Sequence, residues 1–433
     1  MPTINVTPID GIVRPEWFQS SSDATNIQNA IDLAAATGAK VVLLPKKYKI
    51  GSVTLKFYTS SVIEGTICGA YDRSAHTGTT IAYQGTGVAM QCECLDTARD
   101  TCFRFRLSDF ALCYWSDPDD YRSYDVYSTS AVGLAFLSQE SGTAPRNGDV
   151  TNLRIRNFAT GIRINALSYV NFTNISIYNF SCGIKLEKTT SNRYLEFARF
   201  DKIMLGTSVP SATGILLRDG NVIYFNHVDA NDCRYGISME SNYSLFDVFI
   251  DKYYAVRCMT GLMINAYNSS ITRTYVSDMS IHPGSSSQYG LYFKQRQSYI
   301  FDDSVFCRIS DSMCVSSGYK FMHNENVNLS NCSFSDLRVL NSVYGLNNVK
   351  KFSLLKASAF GKVTIPAQTR VVDVDISKAV LNINSEVLNA ILYGNFSASY
   401  SYYESNNRLY LKITADSISS SARTITYLIP KLL

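Results

Sequence analysis

In this 433-residue chain, Glu187, Arg218 and Glu240 each stand four positions after a glycine followed by an apolar residue, in GIKLE, GILLR and GISME. If these segments stack as neighbouring parallel strands about 4.8 Å apart, the two glutamates lie roughly 9 to 10 Å from each other with the arginine between them. That span is near the upper end for a pair of acids working with an intervening water on a glycosidic bond. The same three residues would also make an ordinary, self-neutralising ladder. A second pattern, apolar residue then Asp, recurs in FDK, VDA and IDK and gives Asp201, Asp229 and Asp251, expected as an outward column flanked by Ser176 and Ser277. Carboxylates one rung apart repel, which raises the pKa of one and leaves another ionised, so identical residues can serve as general acid and base. Pairing with Lys202 and Lys252 is the structural alternative, although a regular strand points them to the opposite face. The segment NHVDANDCRYGISME is the richest: alternation puts His227 and Asp229 on the outer face, Asp232 in the turn and Glu240 on the next strand. The catalytic candidates are therefore Asp229, Asp232, Glu240, Glu187 and Asp201.

The candidates for holding a substrate are Arg218, His227, Asp251, Tyr224, Tyr253 and Tyr254. The chain has 29 Tyr, and several, including Tyr267, Tyr292 and Tyr299, fall near the same segments, where flat rings can stack on sugar faces and hydroxyls can bond to them. The polar, aromatic insertion at 114–130 is a candidate groove wall. Its Asp117, Asp119, Asp120 and Asp125 lack the spacing of a calcium loop and read as solvated surface. His76, His227, His282 and His323 are never spaced like zinc ligands, and neither metal nor cofactor is expected. The 11 Cys are scattered and read as reduced core residues.

What must position these residues is a loose repeat. Glycines 133, 161, 183, 214, 236, 261, 290, 318 and 345 recur at spacings of 28, 22, 31, 22, 25, 29, 28 and 27 residues. A helical repeat would hold its length; a β-solenoid coil can vary because loops bulge between short strands. After each glycine comes an alternation (GIRIN, GIKLE, GILLR, GISME, GLMIN, GLYFK) that places Ile162, Ile184, Ile215, Ile237, Leu262 and Leu291 in one interior row, with the second and fourth positions facing solvent. The predicted fold is all-β: a right-handed, single-stranded parallel β-helix over 23–350, after a lead-in at 1–22. A β-sandwich or propeller does not need glycine-apolar strands in register. From about 352 the glycine period stops, and TRVVDVDISK, NRLYLKITA and ARTITYLIP alternate between polar turns, which predicts an antiparallel β-domain over 351–433.

Composition agrees. Apolar residues make up 46% and charged residues 18%, enough for a large core. The net charge of +4 and the lack of any long basic run argue against nucleic acid. No run of 18 apolar residues predicts membrane insertion, and the opening MPTINVTPIDG has no signal-peptide pattern, so synthesis in the cytoplasm is expected.

Residues 20–50 read as a capped helix, with Ser22 or Asp23 at its start, Ile27, Ala30, Ile31 and Ala34 on one face and a stop at Gly38, followed by the buried strand VVLLP. Such a helix covers the open first coil. The segment RPEWFQSSSDATNIQNAIDLAAATGAKVVLLPKKYKI, followed by SSVIEG, resembles the opening of pectate-lyase-like β-helix proteins, in particular bacteriophage tailspikes and capsule depolymerases. The likeness covers roughly 14–350 and departs from the usual pattern at Gln19 and Ser20, where a Gly-rich turn is common; no virion-anchoring domain precedes the helix. It implies a homotrimer joined partly by the terminal domain, attached to phage tail or baseplate proteins, made in the host cytoplasm, carried on the virion and acting on capsule or O-antigen at the bacterial surface. Endo-glycosidic hydrolysis by Asp and Glu pairs on neighbouring coils is the leading expectation. A polysaccharide lyase, using His227 with Lys185 and Arg218 against an acidic sugar, and a receptor-binding spike that does not cut are the alternatives. An esterase finds no nucleophile motif.

Overall fold

The computed structural model describes residues 6–58, 60–66, 78–93, 104–119, 126–138, 144–189, 194–241, 245–265, 271–282, 289–294, 305–309, 313–315, 320–325, 333–334, 338–340, 346–347, 357–375, 391–393, 398–405 and 408–430. Gly318, Gly345, Tyr267, Tyr299, Asp120 and Asp125 lie outside them. Ser22 caps the helix Asp23–Thr37 by accepting from the Thr25 amide at 3.1 Å, and Gly38 ends it in the left-handed region at φ 72°. Ile27, Ala30, Ile31 and Ala34 are buried against the first coil. The lead-in adds a strand of its own, Ile12–Val13, parallel to Lys40–Val42.

From there the chain winds as a parallel β-helix. Short strands, among them Thr160–Ile164, Cys182–Leu186, Thr213–Leu217, Tyr235–Glu240 and Thr260–Asn265, stack in one sheet. Long strands, Arg146–Arg156, Leu167–Tyr178, Leu195–Gly206, Gly220–Asn231, Leu245–Val256 and Ile271–His282, stack in another. Ile162, Ile184, Ile215, Ile237, Leu262 and Leu291 pair in one row, each fully buried, as the glycine register predicts. Opposite it, Phe172, Phe200 and Phe225 stack face to face at 4.7 and 4.9 Å. The glycine before each row has a steric cause: a Cβ on Gly183 would lie 2.5 Å from the Gly214 carbonyl oxygen, and one on Gly214 equally close to that of Gly236. The second and fourth positions are not uniformly solvated, since Asn165, Ser238, Met263 and Asn265 are buried.

The long strands are not regular. Tyr169, Phe197, Val222, Asp247 and Arg273 form one column of left-handed residues. Asn174, Lys202, His227, Lys252 and Asp278 form a second column five residues later, and Asn179, Asp232 and Arg257 belong to a third, all with φ between 49° and 60°. Each such residue turns the chain, so a coil has corners, and alternation restarts after every one. Asn and Asp tolerate this conformation best, and amides ladder along the corners: Asn174 donates to Asn152 at 2.7 Å and Asn179 to Asn157 at 3.0 Å.

Beyond the coils, Ala357–Ile365, Arg423–Pro430 and Ile391–Tyr393 form one antiparallel sheet and Val371–Asp375, Arg408–Ala415 and Ala398–Ser405 another. The loss of the glycine period marks this change of pairing.

Candidate functional site

The structure distributes the candidate residues over different faces of the coil. Glu187, Arg218 and Glu240 belong to the short-strand side and do form a ladder. Arg218 donates through Nη1 to Glu187 and through Nε and Nη2 to Glu240 Oε2, at 3.3 and 3.2 Å, while Lys185 pairs with Glu187. Burial raises the Glu187 carboxyl, but hydrogen bonds from Lys185 and Arg218 outweigh it and hold the group below the usual carboxylate range. A carboxylate held ionised in this way is badly matched to giving up a proton at neutral pH. Glu240 also accepts from Ser238 at 3.1 Å.

The expected column of three aspartates does not exist. Asp201 pairs in register with Asn226, and Asn226 with Asp251 and then Ser277; Asp229 pairs with Met204 and Tyr254, three residues further along the strand. The apolar-Asp pattern equates VDA with FDK and IDK, whereas the true counterpart of Asp201 and Asp251 is Asn226. Ser277 does adjoin Asp251, but Ser176 belongs to the Asp229 column. Neutral donors occupy the gap: Asn226 Nδ2 gives to Asp201 Oδ1 at 2.6 Å and Ser277 Oγ to Asp251 Oδ1 at 2.7 Å. Lys202 and Lys252 sit at corners and are exposed; they do not turn to the opposite face, because the strand bends at them.

Asp229 lies just past the His227 corner, half-buried between Met204 and Tyr254, whose exposed side chains crowd it from the rungs on either side. Burial pushes its carboxyl above the usual range, and the Asn231 amide, at 2.9 Å, and the charge of His227 only partly oppose this. The His227 and Tyr254 rings are 6.2 Å apart. Asp229, His227 and Tyr254 thus share one surface, with Asp201 and Asp251 across the corner. Asp232 stands at the next corner, gripped by Arg257 through two bonds of 2.6 Å.

Tyr253 is a correction. It is fully buried and its hydroxyl donates to the Gly261 carbonyl oxygen at 2.6 Å, because the Lys252 corner shifts the alternation and turns it inward. Tyr224 is exposed but stacks at 4.7 Å on Phe249, which stacks at 5.1 Å on Tyr275; neighbouring rings of this ladder occupy each other's faces, so it is no flat platform for a sugar. In the 114–130 insertion, Trp115 is buried under Lys47 and Asp119 pairs with Lys49, which ties the described part to the first coils. The left-handed corners were the missed signal, legible in the five-residue spacing of Asn152 with Asn157 and Asn174 with Asn179. Among the described residues no group of three metal-ligating side chains occurs, and Cys92, Cys113, Cys182, Cys233, Cys258 and Cys307 form no disulfide.

No protein-family model matches this chain, and no curated protein matches it in sequence. Similar solved structures include the Dettilon tailspike protein (12% identity, 97% of this chain and 94% of that one, TM-score 0.47). Others are the endo-xylogalacturonan hydrolase from Aspergillus tubingensis (12%, 79% and 98%, 0.48) and a mutant tailspike protein of E. coli bacteriophage HK620 in complex with a pentasaccharide (9%, 98% and 94%, 0.47). The chain is a parallel β-helix. That statement stands on its strand pairing, and a fold of this kind hosts many activities, so function has to be argued from the site.

Proposed function

We propose that the chain is a phage tailspike that binds and depolymerises a bacterial surface polysaccharide, capsule or O-antigen, by endo-glycosidic hydrolysis. Asp229 is the general acid, and an outward carboxylate across the corner, Asp201 or Asp251, is the base. His227 and Tyr254 border the bound sugar. The observation that carries this reading is the state of Asp229: a half-buried carboxyl pushed toward its neutral form, on an outward face beside an exposed histidine and tyrosine. Glu187, Glu240 and Asp232 are each held by an arginine, which favours a structural part for them. The opening-segment resemblance supports the biological setting, in which three copies assemble partly through 351–433 and attach to phage tail or baseplate proteins.

A lyase remains the second reading, because Lys202 and Lys252 flank His227 at the corner. Its first-expected cations, Lys185 and Arg218, are committed to glutamates on the short-strand side. Incubation of the protein with capsules and O-antigens from a strain panel tests both. Hydrolysis releases new reducing ends without a chromophore, a lyase leaves an unsaturated, ultraviolet-absorbing product, and a spike that only binds leaves polymer length unchanged.

A further inference from the structure

The corner column beside Asp229 carries Lys202, His227 and Lys252 in three successive rungs, which places the two lysines about 10 Å apart along the stack with the imidazole between them. All three are exposed. Three basic groups in line repel one another when charged, and a folded surface ordinarily relieves this with carboxylates. Asp201 and Asp251 precede the two lysines directly in sequence, yet their hydrogen bonds come from Asn226 and Ser277, and among the described residues neither lysine has an ion-pair partner. The acids are satisfied by neutral donors and the bases are left open to solvent. Below Lys202 the column continues with the neutral Asn174, and beyond Lys252 it continues with the exposed Asp278, which makes no ion pair with that lysine and closes the basic strip at three rungs.

We infer that this corner is the binding strip for an acidic polysaccharide, laid along the helix axis with its anionic groups on Lys202, His227 and Lys252. The inference rests on the proposed function and deepens it, since it names the charge class of the polymer that reaches Asp229. Left-handed corners hold the strip in place: each puts one exposed side chain per rung at the bend, where a polymer can lie against the column and still reach the next face. A lysine is a compact point charge that can serve a carboxylate or a phosphodiester, so the shared requirement is a repeated anion.

The test is affinity electrophoresis of the full chain through gels containing each polysaccharide of the strain panel, native, carboxyl-reduced and dephosphorylated, with Asp229→Asn included so that cleavage does not erode the matrix. Retardation by acidic polymers only, falling at least tenfold after one of the two chemical treatments and equally in the Lys202→Gln, Lys252→Gln double variant, supports the strip, and the effective treatment names the anion. Equal retardation by neutral or doubly treated polymer, or an unaffected double variant, overturns it while leaving the proposed function standing. No retardation by any polymer removes the proposed function and this inference together. An unchanged melting temperature of the double variant separates lost contact from lost fold.

Discussion

The short-strand side and the long-strand side of the coil both present carboxylates at their outer surface, and they treat them in opposite ways. Arg218 sits between Glu187 and Glu240 and closes them into a network with Lys185. Asp229 has hydrophobic and aromatic neighbours in the same position of the adjoining rungs and one amide donor. On the first side burial is outweighed by partners and the carboxyl is held ionised; on the second it prevails. In a stacked repeat, a column of charge therefore says little until the occupant of each neighbouring rung is known.

Removing the arginine attacks that contrast most strongly. Arg218→Ala leaves two half-buried carboxylates facing each other across an empty rung and should cost about 2 kcal/mol, between the values for exposed and buried pairs; urea denaturation measures it. Retention of full stability would mean that the ladder is not a structural device. Next in size is Tyr253→Phe, which deletes the buried hydrogen bond to the Gly261 carbonyl and should cost about 1 kcal/mol with no change in polymer affinity. A change in affinity without a change in stability would return Tyr253 to the binding surface.

These two tyrosines, 253 and 254, show how far the sequence can be read. The interior row from Ile162 to Leu291 was legible because the short strands alternate without interruption. The helix cap and the antiparallel terminal domain were legible for the same local reasons. The outward map of the long strands was not, because the left-handed Lys252 shifts parity by one and sends Tyr253 inward and Tyr254 outward. The expected aspartate column failed for another reason: Asp229 lies three residues beyond Asn226, the true counterpart of Asp201 and Asp251. Which partners occupy a carboxylate depends on the facing rung, 22 to 31 residues away, and spacing alone does not reveal it.

The smallest effect expected is one of sign. Asp229 is harder to ionise in the folded chain, so its neutral form contributes stability in full below the ordinary carboxylate range, and that contribution is lost as pH rises through its raised pKa. Asp229→Asn should therefore gain stability relative to the parent on going from acid to neutral pH. Glu187 is the reverse: its contribution is present above the ordinary value and lost as pH falls through the lowered pKa, so the cost of Glu187→Gln should be largest at neutral pH and fade in acid. Both groups are only partly buried, so solvent screens them, and each difference should be about 1 kcal/mol or less. Thermal melts of the two variants across pH measure them, and two slopes of the same sign would dissolve the contrast.

The most direct test is the rate of reducing-end release by Asp229→Asn and Glu187→Gln, measured side by side on the polysaccharide that the parent protein cleaves. Loss of a general acid lowers kcat by about 100- to 10,000-fold, so Asp229→Asn should fall into that range with polymer binding preserved, while Glu187→Gln keeps a rate near that of the parent. A collapse in Glu187→Gln with Asp229→Asn unaffected would move the chemistry to the short-strand ladder and contradict the account.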